Sequence, residues 1–171
     1  MFTMLDDWRA EFGIQETGLS MIIAVGFFTS FIAQLTIAPY ADRGHARKLM
    51  TVGMAANAAG ALIMAFGSSL PLFLLGRFVM GVGAGIAIPA IKRIVIVSDP
   101  ENMGGNLGRG VSIEVGGFAI GPVIAALTVD SINLAAPFIL IAVLITIAGF
   151  IISRLNITET AVEDRTEERF A

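Results

Sequence analysis

Long apolar blocks, separated by clusters of charged residues, constrain the fold of this 171-residue chain more than any other feature. Three stretches contain no charge at all, residues 17–41, 49–76 and 131–153, and two further blocks, 71–91 and 110–129, hold one charge each. A bilayer core is about 30 Å thick, so a helix that rises about 1.5 Å per residue needs about 20 apolar residues to cross it. Every block reaches that length and is apolar on all sides, unlike a helix of a soluble bundle. The sequence therefore predicts an all-α integral membrane protein with five transmembrane helices.

Composition argues against several other classes of protein. Hydrophobic residues make up 56% of the chain and charged residues 15%, against about 45–50% and about 25% in ordinary soluble domains. There is no cysteine, and His45 is the single histidine, which leaves little with which to bind a metal ion. No basic stripe with interleaved aromatic residues indicates a nucleic-acid partner. We find no catalytic constellation, so the sequence predicts no enzymatic activity, no metal and no cofactor.

Turn residues and charges divide the chain into three parts. We predict an extracytoplasmic, mostly acidic lead-in at residues 1–18 and a cytoplasmic tail or linker at residues 154–171. The transmembrane domain lies between them, over residues 19–153. Its five helices are predicted at residues 19–40, 49–66, 72–97, 109–129 and 135–153.

Lysine and arginine placement predicts the orientation of the helices. Alternate loops hold nine of the cationic residues: Arg43, Arg47, Lys48, Lys92, Arg93, Arg109, Arg154, Arg165 and Arg169. The opposite loops hold only Arg9. Because cationic residues accumulate on the cytoplasmic side of membrane proteins, we expect the N-terminus outside and the C-terminus inside. The expected location is the cell membrane, inner or plasma.

Small residues at four-residue spacing mark predicted contacts between helices. Gly81 and Gly85 lie on the third predicted helix, and Gly117 and Gly121 lie on the fourth. In lipid, helices associate where such residues let their backbones approach closely. Pro122 removes a backbone hydrogen bond and should bend the fourth helix. We expect a compact bundle whose helices can rock against each other.

Two charges lie inside predicted spans. A charged side chain at the centre of a span costs roughly 2.5–3.5 kcal/mol on insertion scales, so it usually faces the bundle interior or a wet cavity. Arg77 lies toward the outer side, where it could also reach the interface by snorkelling. Glu114 lies toward the cytoplasmic side, at a depth similar to that of Lys92 and Arg93. We predict a contact between Glu114 and one of these two cations.

Polar residues in the middle of two helices allow two interpretations. Gln34 lies in the first predicted helix and Asn57 in the second. Either side chain could line a cavity, or it could form a hydrogen bond to a neighbouring helix. The sequence favours neither interpretation.

Three stretches resemble motifs of the major facilitator superfamily, in order and on the expected helices. APYADRGHARK at residues 38–48 resembles the superfamily's signature loop, G-x-L-A-D-R-x-G-R-K, with one residue inserted after Arg43. LLGRFVMGVGAG at residues 74–85 resembles its fourth-helix motif, L-x-x-G-R-x-x-x-G-x-G-A-G. GFAIGPVIAA at residues 117–126 resembles the fifth-helix motif G-x-x-x-G-P-x-x-G-G, which is associated with antiporters. The resemblance covers nearly the whole chain, as an N-terminal half bundle that lacks the superfamily's first helix.

This resemblance implies a secondary active transporter that works by alternating access, with protons as the coupling ion and export as the direction. It implies that Asp42, Arg43, Arg47 and Lys48 form a cytoplasmic gating loop, and that Arg77 takes part in proton coupling. Glu114 is a weaker candidate for the same role. The implied partners are the lipid bilayer, a small-molecule substrate, protons, and a missing second half or partner chain.

Two alternatives belong to other classes. The chain could be a truncated or partial transporter without transport activity alone, or a small membrane protein that scaffolds others through its glycine faces. Transport by the chain alone would argue against both alternatives.

Overall fold

The structure is a computed structural model that describes residues 5–154, within which the elements are helices and turns. The helices are α1 (Leu5–Phe12), α2 (Glu16–Tyr40), α3 (Ala46–Phe66), α4 (Leu70–Ser98), α5 (Met103–Ser131) and α6 (Ala136–Arg154). Five of them, α2 to α6, are long and apolar enough to cross a membrane. The predicted all-α membrane fold with five spanning helices is confirmed. The tail predicted from residue 154, with Arg165 and Arg169, lies outside the described residues after its first position.

Short connections join the five long helices and gather at two ends of the bundle. The α1 end contains α1, the turn between α3 and α4, and the turn between α5 and α6. The Asp42 end contains the turn Ala41–His45 and the loop between α4 and α5. The two ends are therefore the parts of the molecule that would lie on opposite faces of a membrane.

Helix α4 packs between α2 and α3, and glycines make both contacts possible. Gly81 and Gly85 face α2, where a Cβ at Gly85 would lie 2.5 Å from the carbonyl oxygen of Ser30. Gly83 faces α3, where a Cβ would lie 2.6 Å from the carbonyl oxygen of Gly53. Because helix association in lipid depends on close approach, α4 is the centre of the bundle.

Helix α5 stands apart from the rest of the bundle. None of its residues is buried within the part of the chain that the structure describes. Ala125 and Val129 pack against the apolar core near the α1 end, and Gly116 is half-buried in mid-helix. The middle of α5 therefore presents most of its side chains to the surroundings.

A short helix lies within the lead-in that we predicted as polar. The indole of Trp8 on α1 is only 1% exposed, and its ring stacks on that of Phe73 with centroids 4.5 Å apart. Phe138 lies 5.7 Å from the same indole, and Phe12 lies 5.0 Å from Phe73. The acidic residues of the lead-in led us to predict a polar segment. Its apolar contact depends on only a few aromatic side chains, Trp8 and Phe12 among them. Trp8 thus connects α1 to both α4 and α6.

The connection between α2 and α3 turns at a glycine. Gly44 has φ = +81°, a backbone conformation that glycine adopts at little cost. Arg43 before it also leaves helical geometry, with ψ = +22°. Despite the residue inserted after Arg43, the loop therefore has a glycine, Gly44, at the point where it reverses.

The loop before α5 is shorter than we predicted. We expected loop structure through Gly108, because Gly104, Gly105 and Asn106 resemble turn residues. The helix instead begins at Met103. The Asp99 carboxylate accepts a 3.0 Å hydrogen bond from the side-chain amide of Asn106, which fixes the first turn of the helix. This bond connects positions seven residues apart, so it was not visible in the local glycine pattern.

Candidate functional site

Arg77 lies inside the bundle, between α4 and α2. It is in the second turn of α4, about 10 Å from the start of the helix along its axis. Its Nε is buried, 3.5 Å from the position that a Cβ on Gly26 would take. A methyl group at Gly26 would thus touch the arginine side chain, and any larger side chain would displace it. The glycine on α2 leaves room for the arginine on α4.

The Nε of Arg77 has no hydrogen-bond acceptor among residues 5–154. The ion pairs in that range are Arg9–Glu16 and Asp42–Arg93, so no carboxylate of the described chain neutralises this guanidinium. An unmet donor at membrane depth is costly unless water, a ligand or a further segment supplies an acceptor. Chemically, this position can hold an anion or another hydrogen-bond acceptor.

Two polar side chains connect α4 to its neighbours close to Arg77. Thr29 Oγ1 on α2 donates to the carbonyl of Val25 at 2.7 Å and lies 3.5 Å from the carbonyl of Phe78 on α4. Asn57 Nδ2 on α3 donates to the carbonyl of Met80 on α4 at 3.4 Å. Of the two interpretations of Asn57, the structure shows the bond across helices. We did not predict a role for Thr29 from the sequence, although a hydroxyl on a helix face of small residues is a known signal for such contacts.

Gln34, the other mid-helix polar residue, is half-buried on α2. Its Nε2 donates to the hydroxyl of Ser30 at 3.2 Å, one turn earlier in the same helix. The contact is therefore local, and a role for Gln34 in lining a cavity stays a prediction.

An ion pair links the predicted gating loop to α4 at the Asp42 end. Asp42 Oδ1 lies 3.4 Å from Arg93 Nε, and the two side chains are 71% and 19% exposed, respectively. Because water screens the exposed carboxylate and two side chains must be ordered, such a pair contributes on the order of 1 kcal/mol. The contact is weak enough to break when helices move.

The three cationic residues of the same loop have different surroundings. Arg43 lies with its Cζ 5.3 Å from the centroid of the Tyr40 ring, a cation–π contact within the turn. Arg47 Nη2 donates to the carbonyl of Ser153 at 2.7 Å, which connects the start of α3 to the end of α6. Lys48 is exposed. The loop therefore contacts α4 through Asp42 and α6 through Arg47.

The structure shows no ion pair between Glu114 and either Lys92 or Arg93. Neither of the ion pairs within residues 5–154 includes Glu114, whose side chain is exposed, and Arg93 pairs instead with Asp42. Similar depth on neighbouring helices suggested the contact. The middle of α5 stands away from α4, so equal depth does not bring these side chains together.

The glycines of α5 do not make the close helix contact that their spacing predicted. A Cβ at Gly117 or Gly121 would meet nothing within 4 Å in the described chain, and Pro122 is exposed. Gly81 and Gly85, with the same spacing, lie directly against α2. The bend expected at Pro122 stays a prediction.

Asp99 occupies the loop at the Asp42 end, outside the spans. Hydrogen bonds from the side chains of Asn106 and Asn102 favour its ionised form and hold the pKa of its carboxyl below the ordinary value. This carboxylate anchors the start of α5 next to the end of α4.

Comparison with known proteins decides the family to which these features belong. A family model for the Major Facilitator Superfamily matches residues 1–170. The chain belongs to the major facilitator superfamily. Members of this superfamily are multi-pass membrane transporters of small molecules and are generally not enzymes. No curated protein and no solved structure matches the chain. Arg77 and the Asp42 loop are thus features of a superfamily transporter.

Proposed function

We propose that this chain is a secondary transporter that exports small organic molecules by alternating access, driven by protons. Arg77 is the observation that carries the proposal. Its guanidinium lies within a span, packed over Gly26, and its Nε has no acceptor among the described residues. A substrate or a proton-carrying group that reaches this depth would supply the missing acceptor. Export and antiport rest on the GFAIGP motif of α5 alone.

Polar contacts at the Asp42 end support alternating access. Its polar contacts include the partly exposed ion pair between Asp42 and Arg93 and a hydrogen bond from Arg47 to Ser153, beside an apolar cluster that contains Ala41. Such contacts can exchange with water at small cost when the bundle rocks. We propose that the Asp42–Arg93 pair is the cytoplasmic latch, closed in this structure.

A second candidate function has its own observation. The middle of α5 is exposed, with open space at Gly117 and Gly121. A glycine face in lipid is a favourable place for another helix to pack. This chain would then transport only together with a partner polypeptide, or it would serve to assemble one.

A flux experiment separates the two candidates and tests Arg77. The purified chain is reconstituted into liposomes that contain a pH-sensitive dye, and a panel of organic compounds is added under an imposed pH gradient. We expect compound-dependent proton movement. Arg77→Gln should slow it by roughly tenfold or more, because a charge-assisted hydrogen bond contributes about 1.5–3 kcal/mol. Arg9→Gln is the matched control, since Arg9 is an exposed cation that pairs with Glu16.

The outcomes of this experiment exclude each other. Equal rates for Arg77→Gln and the native chain would contradict the role of Arg77. If liposomes that contain the native chain showed no more proton movement than empty liposomes with any compound, the partner-dependent candidate would be favoured.

The orientation of the chain is tested by labelling single cysteines, because the chain has none of its own. Ser69 lies exposed at the α1 end, and Ser98 lies exposed at the Asp42 end. In intact cells, a membrane-impermeant maleimide should label Ser69→Cys and should label Ser98→Cys only after permeabilisation. The reverse pattern would invert the proposed topology, and equal labelling of both in intact cells would exclude a single orientation.

A further inference from the structure

A cavity of about 460 Å³ opens at the α1 end, away from Arg77 and the Asp42 loop. It lies between α1, the turn from α3 to α4, and the turn from α5 to α6. Clefts that bind small molecules have volumes of about 300–1,000 Å³ and are mostly apolar with a few polar groups. The cavity is therefore large enough for a ligand of moderate size.

The walls of this cavity combine apolar surface with negative charge. Met64, Phe73 and Leu134 supply apolar and aromatic atoms, and Asp7 and Glu11 line the side formed by α1. The two acids are four residues apart, so they lie on one face of that helix. Both side chains are exposed at the cavity rather than covered by other helices.

These two carboxylates have no counter-ion within residues 5–154. The cation on α1 is Arg9, and it is held by Glu16, with Arg9 Nη1 2.8 Å from Glu16 Oε1. The other ion pair of the described chain, Asp42–Arg93, lies at the opposite end of the bundle. The field in the cavity is therefore negative, and it favours a cation over an anion.

We propose that this cavity binds an organic cation with a hydrophobic body. The carboxylates of Asp7 and Glu11 would neutralise the charge, and the apolar wall would receive the body. Neither an anion nor a small hydrated metal ion fits as well. An anion would meet two carboxylates, and a metal ion would gain nothing from the apolar lining. The site is separate from the Arg77 position, so the proposal stands whether or not the chain transports on its own.

Trp8 provides a reporter for this binding. It is the single tryptophan of the chain, and it lies among the residues that line the cavity. The probe is tetraphenylphosphonium, titrated into the purified full chain in a non-ionic detergent while Trp8 emission is followed. Equilibrium dialysis of the same probe measures binding directly if the emission does not respond. Tetraphenylborate, which has nearly the same shape and the opposite charge, is the paired ligand.

We expect saturable binding of tetraphenylphosphonium and much weaker binding of tetraphenylborate. Asp7→Asn and Glu11→Gln should each raise the Kd by about three- to tenfold, as expected for the loss of one nearby charge in partly screened surroundings. Asp130→Asn is the matched control. It removes one exposed acid from the same end of the molecule but outside the cavity lining, so the Kd should not change. Unchanged Trp8 emission in each unbound variant verifies that α1 is still docked.

Three results would overturn the proposal. The first is dialysis that finds no saturable binding of tetraphenylphosphonium. The second is binding of tetraphenylborate with equal or higher affinity, which would indicate a merely apolar site. The third is an equal change of Kd in Asp7→Asn, Glu11→Gln and Asp130→Asn, which would indicate a diffuse surface charge.

Discussion

Replacing Gly81 by alanine is expected to destabilise the bundle by about 1–3 kcal/mol, the usual cost of inserting a methyl group into a well-packed contact. A Cβ at this position would lie 2.5 Å from the carbonyl oxygen of Gly26 and would collide with Thr29 Oγ1. The oxygen of Gly26 belongs to the backbone of α2, so it cannot move aside as a side chain would. The measurement is the thermal unfolding midpoint of the purified chain in detergent, which should fall by several degrees.

Gly117→Ala is the control for this substitution. Gly117 begins the same four-residue glycine pattern on α5, but a Cβ there would meet nothing within 4 Å. We expect an unchanged or slightly higher midpoint, because alanine is favoured over glycine inside a helix by up to about 1 kcal/mol. Equal losses for both variants would contradict the placement of α4 against α2.

Replacing Trp8 by alanine is expected to have the largest effect on the α1 end. Truncation of a buried tryptophan typically lowers the free energy of unfolding by about 3–5 kcal/mol, because its apolar contacts are lost and a cavity is left behind. The ring of Trp8 is 1% exposed and stacks on Phe73 of α4, and Phe138 of α6 lies beside it. We expect a lower unfolding midpoint and rapid proteolysis between α1 and α2 at concentrations that leave the native chain intact.

Two further variants define what Trp8 contributes. Trp8→Phe keeps an aromatic ring and should recover most of the lost stability, because stacking on Phe73 persists. Phe27→Ala removes an aromatic ring that is 59% exposed on α2, so its effect should be small. If Trp8→Ala had the same unfolding midpoint and the same protease resistance as the native chain, α1 would not be docked as described.

These two contacts bear on mechanism in different ways. The α2–α4 contact at Gly81 sets the distance between the helix that carries Arg77 and the helix on which its guanidinium rests. The aromatic contact at Trp8 closes one end of the bundle and forms part of the cavity with Asp7 and Glu11. Loosening the contact at Gly81 should therefore disturb the Arg77 position. Loosening the contact at Trp8 should instead abolish the proposed cation site.

Local composition was sufficient to predict the spanning helices. A bilayer requires about 20 apolar residues with internally paired backbone groups, whatever the neighbouring helices are. Helices α3 and α6, for example, end at Phe66 and Arg154, and both are long and apolar enough to cross a membrane. The three motifs likewise indicated the superfamily from consecutive residues alone, because each is short and contiguous in the chain.

Contacts between distant segments were not predictable in the same way. Gly81 and Gly117 occupy equivalent motifs, yet one faces a helix backbone and the other faces open space. The sequence placed Glu114 at the depth of Arg93, whereas the observed pairing of Arg93 with Asp42 depends on how the turn after α2 comes back toward α4. Trp8 lay in a segment dominated by acids, and its burial depends on aromatic rings more than 60 positions away.

The difference between these two kinds of information has a simple physical origin. Crossing a membrane is a property of one segment and its solvent, so consecutive residues contain what is needed to predict it. The partner of a glycine face, an arginine or an indole depends on the relative placement of several helices. In lipid that placement arises from close packing among many nearly equivalent apolar faces. The contacts of Arg77, Arg93 and Trp8 therefore became visible only when the helices were assembled.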